Sequence, residues 1–177
     1  MGEYPEYYLD IVRPVIIIYG LYPDKNLNRE KLDLIPAMTV KARITRIDEK
    51  EENTPVSYGA TYKTTKKTKL ATVPIGYADG YLRCLSGTAV MSVNGHIVPV
   101  VGRICMDQCM IDVSSVNNIN VGDEVIVFGN GGEIEISLEE LAFRAGTVPH
   151  EILSLTGNRT PRVFFKDGKV IDVLTYL

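Results

Sequence analysis

Cysteine and histidine are scarce: the 177 residues hold three of the first and two of the second. Cys84, Cys105 and Cys109 are odd in number, and neither His96 nor His150 stands at a zinc-ligand spacing from them. The direct reading is three reduced thiols in a cytoplasmic setting, small buried residues and not nucleophiles, with no metal site. An excess of basic residues is missing too. Nineteen Lys and Arg stand against 22 Asp and Glu, a net charge of -3, which gives no electrostatic reason to expect nucleic acid or an anionic membrane as partner. Long apolar runs are absent; the longest, Val15 to Tyr19, is far too short to span a bilayer. The start of the chain is acidic and aromatic, without the basic and apolar regions of a signal peptide. Repeats and low-complexity segments are lacking. What remains, 45% hydrophobic and 23% charged residues, is ordinary globular composition.

Short strand signals fill most of the chain. Between Ala37 and Ile47 the apolar residues Met38, Val40, Ala42 and Ile44 alternate, the period of a half-buried strand. Further strands are expected at Leu70–Ile75, Thr88–Val93, Ile97–Val101, Cys109–Val113 and Glu124–Phe128. Asn94-Gly95 predicts a tight hairpin turn, because both residues tolerate positive φ. Asp167-Gly168 does the same between Arg162–Phe165 and Val170–Leu174, and Asn130-Gly131-Gly132 marks another reversal. Helix signals are confined to Ser137-Leu138-Glu139-Glu140, a capping box closed by Gly146, and to a short segment from Pro149 to Leu155. Residues 34–177 therefore read as a mainly β, barrel-like domain with one or two short helices. Residues 1–33 differ. Val15–Tyr19 predicts a strand buried on both faces with no partner in this chain, the last strand of an α/β barrel, and Tyr22-Pro23-Asp24-Lys25-Asn26 a linker.

Several motifs occur in a fixed order: Arg13-Pro14 with Tyr19-Gly20-Leu21-Tyr22-Pro23, Ser57-Tyr58-Gly59-Ala60-Thr61-Tyr62, Pro74-Ile75-Gly76-Tyr77-Ala78-Asp79-Gly80-Tyr81, Val101-Gly102-Arg103-Ile104-Cys105-Met106-Asp107-Gln108, and Arg159-Thr160-Pro161-Arg162. Gly59 beside Tyr58 leaves the backbone free to hold the phenol at an edge. A free tyrosine titrates near pH ~10, so it acts as a base at neutral pH only with help from its surroundings.

Nearly the whole chain, through these motifs, resembles the C-terminal part of the alanine racemases, the fold-type III enzymes that use pyridoxal 5′-phosphate. The resemblance implies an N-terminal α/β barrel carrying the cofactor on a lysine, then a C-terminal β domain, assembled as a head-to-tail homodimer that makes D-alanine for the cell wall. No lysine here lies in a motif of that kind, so the chain reads as half an enzyme, inactive alone. By the same resemblance Tyr58 is the catalytic base, delivered to the neighbouring subunit's site. Arg13 faces the cofactor's pyridine nitrogen, and the amides of Val15 and Ile16 help hold its phosphate. Met106 and Asp107 approach the substrate carboxylate. Tyr77 lines the narrow access corridor, with Arg83 and Arg103 in that corridor or at the subunit contact.

Two departures from the family pattern stand out. Val15 occupies a place where glycine is usual, and a β-branched residue cannot adopt every glycine conformation. Asn158 stands where alanine-specific members carry tyrosine, a position beside cofactor and substrate. Asparagine is smaller and both donates and accepts hydrogen bonds, so the site has room for a substrate hydroxyl. In this the chain resembles the membrane-anchored serine/alanine racemases of vancomycin-resistance clusters, which implies serine as a second substrate and a cytoplasmic-facing domain. The alternative from another class is a non-catalytic β module for dimerisation or partner binding.

Overall fold

The computed structural model describes residues 9–23, 30, 32–132 and 134–176. They fall in two compact units, Met1–Thr39 and Val40–Leu177.

In the first unit, Val15–Tyr19 is not a strand but a short 3-10 helix. A continuous apolar run fits either conformation, and a strand without a neighbour leaves its N–H and C=O groups unpaired. The helical turn pairs them locally: Ile17 N–H donates to Pro14 C=O at 3.1 Å and Gly20 N–H to Ile17 C=O at 3.0 Å. Gly20 closes the turn at φ 73. A Cβ there would sit 1.7 Å from the Ile35 oxygen, so only glycine fits. The linker expected at Tyr22–Asn26 lies partly outside the described residues; Tyr22 itself donates its hydroxyl to Leu32 C=O at 2.6 Å.

The second unit is built on one curled antiparallel sheet. Its strands are β1 (Val40–Arg43), β2 (Arg46–Lys50), β5 (Thr68–Val73), β6 (Val90–Val93), β7 (His96–Val101), β8 (Cys109–Asp112) and β9 (Glu124–Asn130), hydrogen-bonded in the order β1-β9-β6-β7-β8-β5-β2. A short β10 (Glu135–Ile136) adds to β9. The expected strand across Ala37–Ile47 is broken into β1 and β2 at Ile44, whose N–H leaves the sheet to donate to Asp123 C=O at 3.0 Å. Between β6 and β7, Asn94 and Gly95 take φ 47 and 71, the two positive values a tight hairpin needs. Val73, Met91, Val98, Ile111, Val125 and Val127 are inaccessible to solvent, and each such side chain contributes roughly 1.5–3 kcal/mol by leaving water.

Helix α1 (Leu138–Ala145) packs against β9, and α2 (Pro149–Leu155) packs on α1. Ser137 caps α1 by accepting the Glu140 N–H at 3.2 Å. The reciprocal half of the expected capping box does not form; Glu140 instead accepts from Arg144 Nε at 2.9 Å, one turn on. Two small hairpins complete the unit: β3 (Pro55–Val56) with β4 (Tyr62–Lys63), and β11 (Arg162–Lys166) with β12 (Lys169–Leu174). Cys109 is buried, Cys105 half-buried, and Cys84 exposed, contrary to the expectation that all three pack inside. Cys84 sits in the 3-10 turn Arg83–Leu85, where Leu85 fills the interior and its neighbour turns outward.

Candidate active site

The loop 57–61 joins β3 to β4 and carries Tyr58 at its tip. The register Val56↔Tyr62 leaves a five-residue loop, and its backbone is unusual. Ser57 has φ 63 and ψ −176, Gly59 φ 73 and Ala60 φ 47. The result is a phenol that is 74% exposed, standing at the mouth of a groove of about 600 Å3 whose walls include Arg46, Asp48, Ser57, Cys105, Gln108 and Met110. The groove is charged on the β2 side and apolar toward β8.

A second set of candidate residues meets where two glycine-containing loops touch. Tyr77 N–H donates to Cys105 C=O at 3.1 Å and Ala78 N–H to Met106 C=O at 3.0 Å. Gly76 permits the approach, since a Cβ there would be 2.2 Å from the Cys105 oxygen. The Asp79 carboxylate accepts the Gly76 N–H at 2.9 Å and so closes the loop on itself. Arg159 then ties in the segment after α2. It donates to Asp107 Oδ1 at 2.6 Å and lies 3.5 Å from Asp79 Oδ1, and the Asp107 bond followed by the Asp79 charge holds its pKa above the ordinary value. Asn158, beside it, is exposed. Tyr77, Met106 and Asp107 are thus gathered by backbone bonds and one arginine, whose neighbour in sequence is Asn158.

Arg83 and Arg103, the arginines expected in a corridor or at a subunit contact, are linked to this region through their own backbones. Ser86 Oγ donates to Arg83 C=O at 2.6 Å and accepts the Ile104 N–H at 3.0 Å. The Arg103 carbonyl accepts from Ser57 Oγ at 2.7 Å, and its Nε lies 3.6 Å from where a Cβ on Gly59 would be. Arg103 therefore belongs with the tyrosine loop as much as with any corridor.

Arg13, Val15 and Ile16 lie in the first unit. Arg13 is exposed. Val15 has φ 46, a left-handed value that is an outlier for a β-branched residue and costs on the order of 1–3 kcal/mol. The backbone thus takes a glycine-like form without the glycine. Helical bonding starts only with the Ile17 N–H, which leaves the amides of Val15 and Ile16 at the open end of the turn. Two amides so disposed, after an arginine, fit the phosphate of a pyridoxal cofactor.

Ser57, Asp79 and Arg159 hold the site together, and composition and spacing singled out none of them. The partners of Ser57 and Arg159 are distant in sequence, and the only signal any of the three carried was a place in one of the ordered motifs.

Comparison with known proteins matches residues 37–164 to the family described as alanine racemase, C-terminal domain. The alanine racemase of Methanococcus maripaludis is 49% identical over 162 residues, covering 92% of this chain and 43% of that protein. That of Clostridium perfringens is 45% identical over 175 residues, covering 99% and 45%. Among solved structures, the Clostridium difficile 630 alanine racemase in complex with cycloserine superposes with a TM-score of 0.84 at 40% identity, over 92% of this chain and 42% of that one. The Bacillus anthracis alanine racemase with bound L-Ala-P gives 0.85 at 38% identity, over 91% and 41%. The chain spans less than half the length of each of these relatives.

Proposed function

The chain belongs to the alanine racemase family, as its C-terminal domain, and from that premise we propose that it is the part of a racemase that presents a tyrosine base to a partner subunit's substrate. In this reading residues 34–177 are the β domain and 1–33 the end of a preceding cofactor-carrying domain, in a cytoplasmic, head-to-tail homodimer. The observation that carries it is Tyr58, a phenol held outward at a strained hairpin tip beside a groove.

Inverting an α-carbon requires a proton to leave one face and another to arrive at the opposite face. Pyridoxal 5′-phosphate, when bound, supplies the electron sink that makes the α-proton acidic. Arg13 would hold the cofactor at its pyridine nitrogen, where an always-charged guanidinium would keep that nitrogen unprotonated. Val15 and Ile16 would hold its phosphate through their amides, and Asn158 would stand beside both cofactor and substrate. Tyr58 Oη takes the proton on one face, or returns it when the reaction runs the other way; the base on the other face lies outside this chain. The backbone of Met106 and Asp107 orients the substrate carboxylate. Tyr77, Arg83 and Arg103 narrow the approach and keep water out, which strengthens every charge interaction within.

Replacing Tyr58 by Phe in the cofactor-loaded enzyme removes one base and leaves the other. Racemisation of alanine is expected to fall at least about a hundredfold. Exchange of the α-proton with deuterated solvent should survive for one enantiomer only, because the remaining base still serves its own face. Full racemisation by the Y58F enzyme would overturn the assignment. Alanine is the substrate proposed first. Serine follows from Asn158, whose exposed amide can pair a hydroxyl that a tyrosine ring would crowd. For Asn158→Tyr, the serine-to-alanine ratio of kcat/KM should fall by about tenfold or more, the scale on which an unpaired polar group is rejected; an unchanged ratio removes serine from the proposal.

A further inference from the structure

Position 57 presents a contradiction between backbone and side chain. With φ 63 and ψ −176, Ser57 occupies a region of conformational space that is essentially reserved for glycine. Glycine there would remove the strain, yet the chain carries serine. What serine adds is a hydroxyl, and that hydroxyl is engaged. Its Oγ donates to the Arg103 carbonyl at 2.7 Å and lies 3.5 Å from Cys105 Sγ. The opposing chain is shaped to receive it: Gly102 has φ +70, and a Cβ on it would fall 2.9 Å from Ser57 Cβ and 3.0 Å from the Val56 oxygen.

This contact is the joint between the two halves of the site. On one side Ser57 is followed directly by Tyr58. On the other, the Arg103–Cys105 segment, whose Cys105 carbonyl accepts the Tyr77 N–H, continues into Met106 and Asp107, which accept in turn from the Ala78 N–H and Arg159. Resting on the reading of Tyr58 as the base, we propose that Ser57 is a positioning residue. Its hydroxyl clamps the tyrosine loop to the segment that meets the substrate carboxylate, so that base and carboxylate site keep one fixed separation. The strained backbone aims the phenol, and the hydrogen bond keeps the strain from relaxing.

Ser57→Gly tests the clamp, because it deletes the hydroxyl while making the backbone easier to form. The expected melting temperature is equal to or above that of the wild type, so a folding defect does not mask the result. In this chain, amide hydrogen exchange across residues 58–60 should accelerate about tenfold or more. In the cofactor-loaded enzyme kcat for alanine should fall about tenfold or more, with a much smaller change in KM, since displacing a reacting group by an ångström costs up to about a hundredfold. Ser57→Ala should show the same kinetic loss together with lower stability. Gly102→Ala attacks the joint from the other side and should also lower kcat more than it raises KM. Wild-type exchange at 58–60 and wild-type kcat in Ser57→Gly would overturn the proposal, as would a kcat loss that merely tracks the unfolded fraction. The exchange arm does not depend on catalysis. If the wild-type enzyme failed to racemise, the reading of Tyr58 would fall while the loop measurement still decided whether Ser57 is a clamp.

Discussion

Two neighbouring groups are buried without need in any chemistry proposed for the site. The hydroxyl of Tyr81 is enclosed and has no hydrogen-bond partner among the described residues, and burial holds its pKa well above the ordinary value. Burial likewise pushes the Cys109 thiol up to about 12, with the nearby Cys105 adding to the effect. Both shifts have the same sign in the linkage between protonation and folding. Between pH 9 and 12 the unfolded chain has released the thiol proton and the folded chain has kept it, so stability present below pH 9 is lost as pH rises through that window. Urea titrations at pH 8 and pH 10.5 should show the loss, and Cys109→Val should make it shallower. Tyr81→Phe should stabilise the protein by about 1 kcal/mol at pH 7, because it removes a hydroxyl that folding strips of water and leaves unpaired. A destabilised Y81F would mean that the hydroxyl is satisfied. The family resemblance carried by the ordered motifs marked Tyr58, Tyr77, Met106 and Asp107 as a set. It did not mark Ser57 or Asp79, because those residues act through bonds to Arg103, Gly76 and Arg159, and a contact across 46 positions leaves no periodic trace in a sequence.

At the level of elements, the strands that could be read were those with a run of apolar residues inside. β8 alternates in burial, with Cys109 and Ile111 inside, β7 puts Val98 and Val100 inside, and β9 is buried on both faces from Val125 to Gly129. β2, Arg46 to Lys50, was legible only as far as Ile47 because it is an edge strand with polar residues on both faces, a composition that discourages further pairing. Val15–Tyr19 was misread for the opposite reason: a short run of apolar residues carries no period with which to tell a strand from a helix. Helix α1 was legible from its ends. The serine cap and the left-handed Gly146 frame it, and Leu138, Leu141 and Ala142 fill its inner face. Ser137→Ala should therefore cost about 1 kcal/mol, seen as a drop of roughly 2–4 °C in Tm. Ser137→Asp, which keeps an acceptor and adds negative charge at the positive end of the helix, should restore the loss.

For the whole molecule, the last hairpin shows what the isolated fold leaves open. β11 and β12 pair only with each other among the described strands, and Val163, Phe165, Val170, Ile171 and Val173 remain exposed. A two-stranded ribbon of this kind is marginal in water by itself. The proposed homodimer makes a sharper demand. If Arg13 serves its own subunit's site and Tyr58 serves the partner's, each active site draws on both chains, and two different defects can be sorted by mixing. A dimer pairing an Arg13→Ala subunit with a Tyr58→Phe subunit has one site with neither residue and one site with both. Random reassembly of equal amounts makes about half of the dimers mixed, and each of those has one intact site of two. The mixture should therefore recover about a quarter of wild-type racemase activity, although each variant alone is nearly inactive. If Arg13 and Tyr58 served the same site in one subunit, no mixed dimer would hold an intact site, and the mixture would stay at the average of the two variants. A steady-state assay of the co-refolded enzymes, with the two variants also refolded separately, decides between the arrangements.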